Sequence, residues 1–432
     1  MNAELIKKQT SSIRSTLEEF TSIFEKYASV CEENLVIETP SQAGAVAKIH
    51  VELMTAVKKL NSDVYGPVNN IMAQFEQVST AFSILSKAFV LMRLNEIIYS
   101  GCLRVLLEAG VFDELPFDGR GMSSSDLAAK TNMEEALLVR LMRVVVPVCF
   151  QEKSPRVYNQ TANSLKFQLP PLRAMFQSGC DSFAPCVYVL TQYFKENGFK
   201  QPDSITNNPY TLAHRTNGRT MWEHLSQHPE LFKAFNLAMH GQSTETVQSY
   251  GFFPWLSTYQ NTETSDDTVL LVDIGGGQGH AITAIKKLIQ DTKGRMILQE
   301  REEVIREIFD IELVGIEKMT YDFFTPQPIK GALIYYIRRC LHDWPDEYCI
   351  TILSNIANAM TSNSRLLIAE IVLPEEGEDI EAAWLDITML LFSGKERSEH
   401  EWIKLLDVAG MRLERVYGAE GTKYSVLEAW LK

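Results

Sequence analysis

The chain has 432 residues, 45% of them hydrophobic and 22% charged, with 23 glycines and 16 prolines. That composition is ordinary for a globular protein and excludes a disordered, collagenous or coiled-coil main body; at about three times the commonest domain size, two domains with substantial cores are expected. The net charge is −14, from 41 basic and 55 acidic residues, and no basic run offers a phosphate backbone a partner, so nucleic acid is not expected to bind.

Cys31, Cys102, Cys149, Cys180, Cys186, Cys340 and Cys349 are sparse, odd in number and free of the CxxC spacing of a zinc knuckle or redox pair. A reducing, cytoplasmic setting fits them. The N-terminal MNAELIKKQTSS has no apolar core before a small-residue cleavage site. No run of about 18 apolar residues occurs, so neither secretion nor a membrane partner is expected.

In chain order, residues 1 to about 100 read as helical. Leu17, Phe20, Phe24 and Tyr27 lie at helical spacing, and Leu53, Val57 and Leu60 repeat the habit between Val51 and Val64. Residues 81–115 are too apolar for a lone surface helix; the helix should stop at Gly110 and be buried in a core or against another subunit. Ser124 or Ser125 can cap a helix over Asp126 to Lys130, and Asn132 a second one over Glu134 to Arg143. VCFQE and RVYNQ then read as two short strands around a polar turn. This is the winged-helix order, which in many proteins enters a DNA groove. Here the second helix opens on two acids and continues mostly apolar, poor equipment against phosphate, so a structural use is expected.

From about residue 180 to 265 the sequence is mixed, with aromatic helical pieces around Tyr188, Tyr193 and Phe194, and the polar TYQNTETSDDT at 258–268 marks a boundary by composition. Beyond it, apolar runs alternate with helix-like segments: VLLVDI (269–274), HAITAIKKLI (280–289), GRMILQ (294–299), GALIYYI (331–337), EYCITILSNIANAM (347–360) and SRLLIAEIVL (364–373). The alternation predicts an α/β domain whose mostly parallel sheet is covered on both faces.

The sharpest local signal is the run from Leu271 to His280, LVDIGGGQGH, in which a buried strand feeds glycines and then a helix. Missing side chains there let the backbone turn tightly and approach a ligand at the strand's carboxyl end, beside Asp273. GGGQG is spaced GxGxG, not the GxGxxG of a nicotinamide-binding loop, and no Lys-Ser/Thr pair closes it as a P-loop. Glu300 ends the next apolar run, where a carboxylate can accept hydrogen bonds from a ribose diol or simply open the helix that follows. His342 stands in Cys340-Leu341-His342-Asp343-Trp344-Pro345-Asp346 after a strand-like run. A neutral imidazole there can take a proton from a hydroxyl, with Asp343, Glu370 or Glu396 orienting it; the same residues also read as a capping cluster, with Asp343 as cap and Pro345 in the first turn. No HExxH, paired histidines or acidic triplet surround His342, and no metal is expected. Glu370 ends RLLIAE, and Gly394 to Glu399 form a charged loop that alone reads more readily as a solvated face. Met239 and Met389 suit either core filling or the thioether wall of an apolar pocket.

Together DIGGGQG, MILQE, YDFFTPQP, YYIRRCLHDWPDE, AEIVLPEE and LDITMLLFSGKERSEHEW closely resemble the class I S-adenosylmethionine-dependent O-methyltransferases of the plant caffeate and flavonoid type, especially their fungal secondary-metabolism relatives. The likeness spans residues 75 to 432. It implies a Rossmann-like methyltransferase domain at 266–432, a helical linker and pocket region at 181–265 and a winged-helix dimerisation domain at 76–180; residues 1–75, outside the likeness, are expected to be a helical extension. It further implies that Asp273, Gly275, Gly276, Gly277, Gly279 and Glu300 hold S-adenosylmethionine, that Asp322 and Phe323 border adenine, and that Arg338 stands near the cofactor. His342 would be the general base with Glu370 and Glu396 behind it, Met239, Asp343 and Met389 would meet the acceptor, and the chain would form a homodimer. The expected reaction is methyl transfer to a hydroxyl of a small aromatic metabolite; some fungal members instead use the bound cofactor to assist dehydration or pericyclic ring closure. Where the family often has Asp-Leu-Pro, this chain has Glu300-Arg301-Glu302, a longer arm with a changed neighbour.

Overall fold

The computed structural model describes residues 3–33, 48–49, 52, 56, 86–146, 148–245, 252–289, 292–308, 313–375, 380–418 and 424–432. Leu53, Val57 and Leu60 lie outside the described residues. The chain forms two compact units: Met1–Thr16, Lys59–Tyr188 and Trp222–Gln242 make the first, and Leu17–Lys58, Val189–Met221 and Ser243–Lys432 the second. No helix among the described residues is long and apolar enough to cross a membrane.

In the first unit the helix Ser86–Glu108 ends just before Gly110, whose φ of 80° lets the chain turn into the short helix Val111–Glu114. Leu103, Leu106 and Leu107 of the long helix enter the core, while Ile97, Ile98 and Val105 are each 47% exposed. Three strands, β1 (Met122–Ser123), β2 (Phe150–Ser154) and β3 (Val157–Gln160), pair antiparallel in the order β1-β3-β2 behind the helices Ser124–Lys130 and Glu135–Val145. Phe112 packs against Phe150 and Phe167 with ring centroids 4.8 and 4.9 Å away. The caps differ from expectation. Ser123 caps the first helix by accepting from the Asp126 N–H, because the Ser124 hydroxyl is drawn to Glu135 instead. Asn132 takes a left-handed φ of 52° and serves the turn, leaving Glu134 at the cap position.

The second unit is built on one sheet. Its strands are β4 (Val269–Ile274), β5 (Arg295–Glu300), β6 (Glu317–Thr320), β7 (Ile334–Arg338), β8 (Arg365–Leu373), β9 (Arg397–Ser398), β10 (Met411–Tyr417) and β11 (Tyr424–Leu431), in the order β10-β11-β8-β7-β4-β5-β6 with β9 against the end of β8. Strands β4 to β8 run parallel; β11 and β10 close one edge antiparallel. Val272, Ile274, Tyr335, Ile337 and Ile368 point into one core, and Leu271, Leu298, Ile334, Tyr336 and Leu367 into the other. Two buried faces are why these strands read as continuous apolar runs and not as alternations. Each such side chain contributes about 1.5–3 kcal/mol on burial.

The register aligns Leu427, Ile368, Ile337, Ile274, Gln299 and Met319 in a single row across six strands. Within that row Gln299 exchanges reciprocal amide hydrogen bonds of 2.8 Å with Gln327, tying β5 to the loop that carries Asp322 and Phe323. The polar stretch at 258–268 begins inside the helix Trp255–Gln260, and this helix is part of the second unit. Tyr259 donates its hydroxyl to the Leu270 carbonyl at 2.8 Å, and Trp255 meets Tyr336 edge-on at 5.8 Å. Residues 189–221 also join this unit, through Tyr210 N–H to the Leu391 carbonyl and the Ser393 hydroxyl to the Ser204 carbonyl.

Candidate active site

The carboxyl ends of β4, β5, β7 and β8 present the chemistry-bearing residues. After Ile274 the chain turns through Gly275, Gly277 and Gly279, with φ of 66°, 57° and 81°, and Gly279 opens the helix His280–Leu288. A Cβ on Gly276 would overlap the Asp273 carboxylate and lie 2.5 Å from Leu298, and one on Gly279 would lie 2.6 Å from Leu313. A Cβ on Gly277 would meet nothing within 4 Å, so this part of the loop faces open space. Asp273 is fully buried, and neither carboxylate oxygen has a hydrogen-bond partner among the described residues. Burial pushes its pKa up to about 7, with Arg338 opposing the rise and Glu300 adding to it.

Glu300 accepts the Gly277 N–H at 3.1 Å and the Arg301 N–H at 2.8 Å. Burial raises its pKa and those two bonds hold it back. The Tyr321 N–H bonds the Glu300 carbonyl at 2.9 Å, which sets the 321–325 turn beside it. Asp322 accepts the Phe324 N–H in that turn, and Phe323 comes within 3.8 Å of where a Gly275 Cβ would be. The structure thus brings Asp273, the glycines, Glu300, Phe323 and Arg338 around one end of the sheet.

His342 sits in a single 3₁₀ turn, Leu341–Asp343, 5% exposed. Its Nδ1 is 2.7 Å from Glu396 Oε1 and 3.7 Å from Glu370 Oε2, and its Nε2 is 3.6 Å from Asp343 Oδ1. Glu370 spends its other oxygen on the backbone, accepting the Cys340 and Leu341 N–H groups at 2.9 and 3.0 Å. Burial alone would lower the proton affinity of His342; Glu370, Asp343 and Glu396 outweigh it and push the pKa up to about 10. Burial likewise raises Asp343 to about 7, against the attraction of His342. The donor atoms of His342, Glu370 and Glu396 lie within 4.8 Å of one another, close enough for a cation, yet the Nδ1–Oε1 bond already satisfies the histidine.

Two expectations change. Asp343 does not cap the following helix Asp346–Ala357: Pro345 occupies the cap position, and the Asp343 carboxylate turns to His342. The charged loop is not a solvated face at its centre, since Glu396 is 1% exposed and Arg397 fully buried. Met389, 7% exposed, ends the helix Ile380–Leu390 against Gly394, whereas Met239 belongs to the helix Pro229–Glu245 of the first unit. Sequence reasoning missed Arg397 and Asp386. Asp386 accepts the Glu396 N–H at 2.9 Å, and its place in an apolar helix, IEAAWLDITML, was the available signal.

A glycine turn and an acid at the carboxyl ends of neighbouring parallel strands, beside a histidine backed by carboxylates, form an arrangement that could hold a nucleotide-type cofactor next to a group able to take a proton. Comparison gives the family. The sequence matches the O-methyltransferase domain over residues 201–412 and the O-methyltransferase dimerisation domain over residues 92–167. It is 38% identical to the O-methyltransferase afvC of Aspergillus flavus, covering 98% of this chain and 97% of that one. The O-methyltransferase kntB of Aspergillus niger is 42% identical over 76% of this chain and 80% of its own. The crystal structure of OxaC in complex with SAH and oxaline superposes with a TM-score of 0.77 at 30% identity, covering 98% of this chain and all of that one. The chain belongs to the class I O-methyltransferases that use S-adenosylmethionine, together with relatives from fungal secondary metabolism. The residues present fit that cofactor: the buried carboxylate of Asp273, without a hydrogen-bond partner among the described residues, and the Glu300 carboxylate could accept from its ammonium and ribose hydroxyls, and the open space at Gly277 leaves room for it.

Proposed function

We propose that the chain methylates a hydroxyl of a small aromatic secondary metabolite, with His342 as general base. The observation that carries this reading is the 2.7 Å bond from His342 Nδ1 to a buried Glu396. With its proton on Nδ1, the neutral ring keeps the Nε2 lone pair for an incoming proton. A pKa of about 10 for His342 is close to that of a phenol, about 10, so the proton passes without a steep penalty. Glu396 holds the tautomer and stabilises the imidazolium, Glu370 fixes the turn that carries the ring, and Asp343 and Met389 face the acceptor. Asp273, Gly275, Gly276, Gly277, Gly279, Glu300, Asp322, Phe323 and Arg338 bind S-adenosylmethionine, which supplies the electrophilic methyl group. The protein's share of the rate enhancement comes from holding donor and acceptor at attack distance.

The match to a dimerisation domain supports a homodimer, and the free thiols of Cys102, Cys149, Cys180, Cys186, Cys340 and Cys349 support a reducing cytoplasmic setting. The test is incubation with methyl-labelled S-adenosylmethionine and a phenolic metabolite extract, read by mass spectrometry. Label on an acceptor with matching S-adenosylhomocysteine is expected. An extract component transformed without label, the cofactor unspent, would instead mark a cofactor-assisted cyclase or dehydratase.

A further inference from the structure

Arg397 is fully buried and follows Glu396 directly. A buried guanidinium is costly unless every donor is matched, and here each N–H has a partner. Nε and Nη2 bond Asp346 Oδ1 at 3.0 and 2.8 Å, the second Nη2 donor reaches the Trp344 carbonyl at 2.8 Å, and Nη1 bonds the Leu341 and Lys395 carbonyls at 3.2 and 3.1 Å. The guanidinium also lies 5.3 Å from the centroid of the fully buried Trp402 ring, a cation–π distance.

These partners share one location. Leu341 and Trp344 bracket the turn that carries His342, Lys395 precedes Glu396, and Asp346 starts the next helix. The loop grips the same turn at other points. The Lys395 N–H donates to the His342 carbonyl at 2.8 Å, and a Cβ on Gly394 would overlap that carbonyl. Arg397 also pairs with Val372 at the end of β8, two residues beyond Glu370.

We propose that Arg397 is a positioning residue for methyl transfer, a clasp that fixes the His342 turn against the Glu396 loop and so sets the Nδ1–Oε1 bond. This rests on the general-base reading of His342. Without the clasp, two segments more than fifty residues apart in sequence would be registered by that one bond and the Lys395 contact. Lysine cannot replace the fork, because its donors all radiate from one nitrogen and cannot span Asp346, the turn and the loop together.

The experiment compares wild type, R397K, G394A and H342Q, using the acceptor found in the labelling assay. For R397K, turnover is expected to fall about 100-fold, with the S-adenosylhomocysteine dissociation constant within about threefold by calorimetry. The His342 titration, followed by NMR of 15N-histidine-labelled protein and assigned with H342Q, is expected to move to lower pH. A residue that merely supported the fold would lower the melting temperature without separating turnover from ligand affinity. If R397K does not fold, G394A carries the test, since its methyl group pushes the loop off the same carbonyl. Turnover within about twofold of wild type for R397K, or for G394A where R397K is unfolded, overturns the clasp. An H342Q that still methylates refutes the base reading itself; an inactive H342Q beside a fully active R397K refutes only the clasp.

Discussion

Replacing Glu396 with glutamine keeps the side-chain volume and removes one buried charge. In the native chain the pKa of His342 stands at about 10 where an ordinary histidine has 6.5, a preference for imidazolium of about 5 kcal/mol. Three carboxylates create that preference against the opposing effect of burial, and of the three only Glu396, at 2.7 Å, is within hydrogen-bond distance. A neighbouring carboxylate moves a pKa by about 1 to 3, so E396Q should bring His342 to between about 7 and 9. Turnover should fall about 100-fold, the low end of what a general base supplies, because the ring remains but loses its anchor. The sign of the stability effect follows from linkage. A histidine whose folded pKa is raised stabilises fully below its unfolded value of 6.5 and loses that contribution as pH rises through about 10. E396Q shortens this window from the alkaline side. Melting temperature against pH, together with single-turnover methyl transfer, reads both effects. A variant with wild-type turnover and a superimposable stability curve would refute the reasoning.

Asp273 and Asp343 follow the same sign at lower pH: their folded pKa values of about 7 lie above the ordinary 3.8, so the stability they contribute is full below 3.8 and lost as pH rises through about 7. D273N should therefore melt higher than wild type at about pH 8.5, with an advantage that shrinks steadily as pH falls toward 3.8, while losing S-adenosylhomocysteine affinity; a melting difference that does not change with pH counts against the buried charge. G276A places a methyl on Asp273 and Leu298 and should weaken S-adenosylhomocysteine at least about tenfold by calorimetry, native affinity being the contrary result. Because resting His342 is protonated below about 10, kcat/KM for S-adenosylmethionine should rise from neutral toward alkaline pH, and a profile that levels off near 6.5 would show an unperturbed base. In the first unit, F112A removes a fully buried ring packed on Phe150 and Phe167 and should cost about 3–5 kcal/mol in denaturant unfolding; a loss below about 1 kcal/mol would mean the cavity collapses freely.

The parts legible in the sequence are those written locally. VLLVDIGGGQGH carries its strand, turn and helix in consecutive residues, and the apolar runs of β7 and β8 need no partner to be recognised. The sequence offered Ser124 or Ser125 as the cap, but the structure gives that place to Ser123, while the Ser124 hydroxyl is taken by Glu135, which lies on the next helix. Arg397 was hidden for a different reason. A charged loop reads as solvated unless one knows that the carbonyls at 341 and 344, Asp346 and Trp402 enclose it, and those lie on other elements. The pairing of His342 with Glu396 is likewise a product of the crossover from β8 through the helix Ile380–Leu390, not of any spacing.

The row from Leu427 to Met319 acts as a ruler. One residue past it stand Gly275, Glu300 and Arg338, and two residues past it stands Glu370. A single-residue insertion or deletion inside β4, β5, β7 or β8 would displace one of these by about 3.3 Å and turn the rest of that strand's side chains to the wrong core. The same change in a turn that leads into a strand, such as the one from Thr361 to Ser364 ahead of β8, leaves the row in register. A change of length in such a turn at the amino edge therefore keeps Gly275, Glu300, Arg338 and Glu370 in register with one another, whereas the same change inside one of these four strands moves its reactive residue out of line with the others.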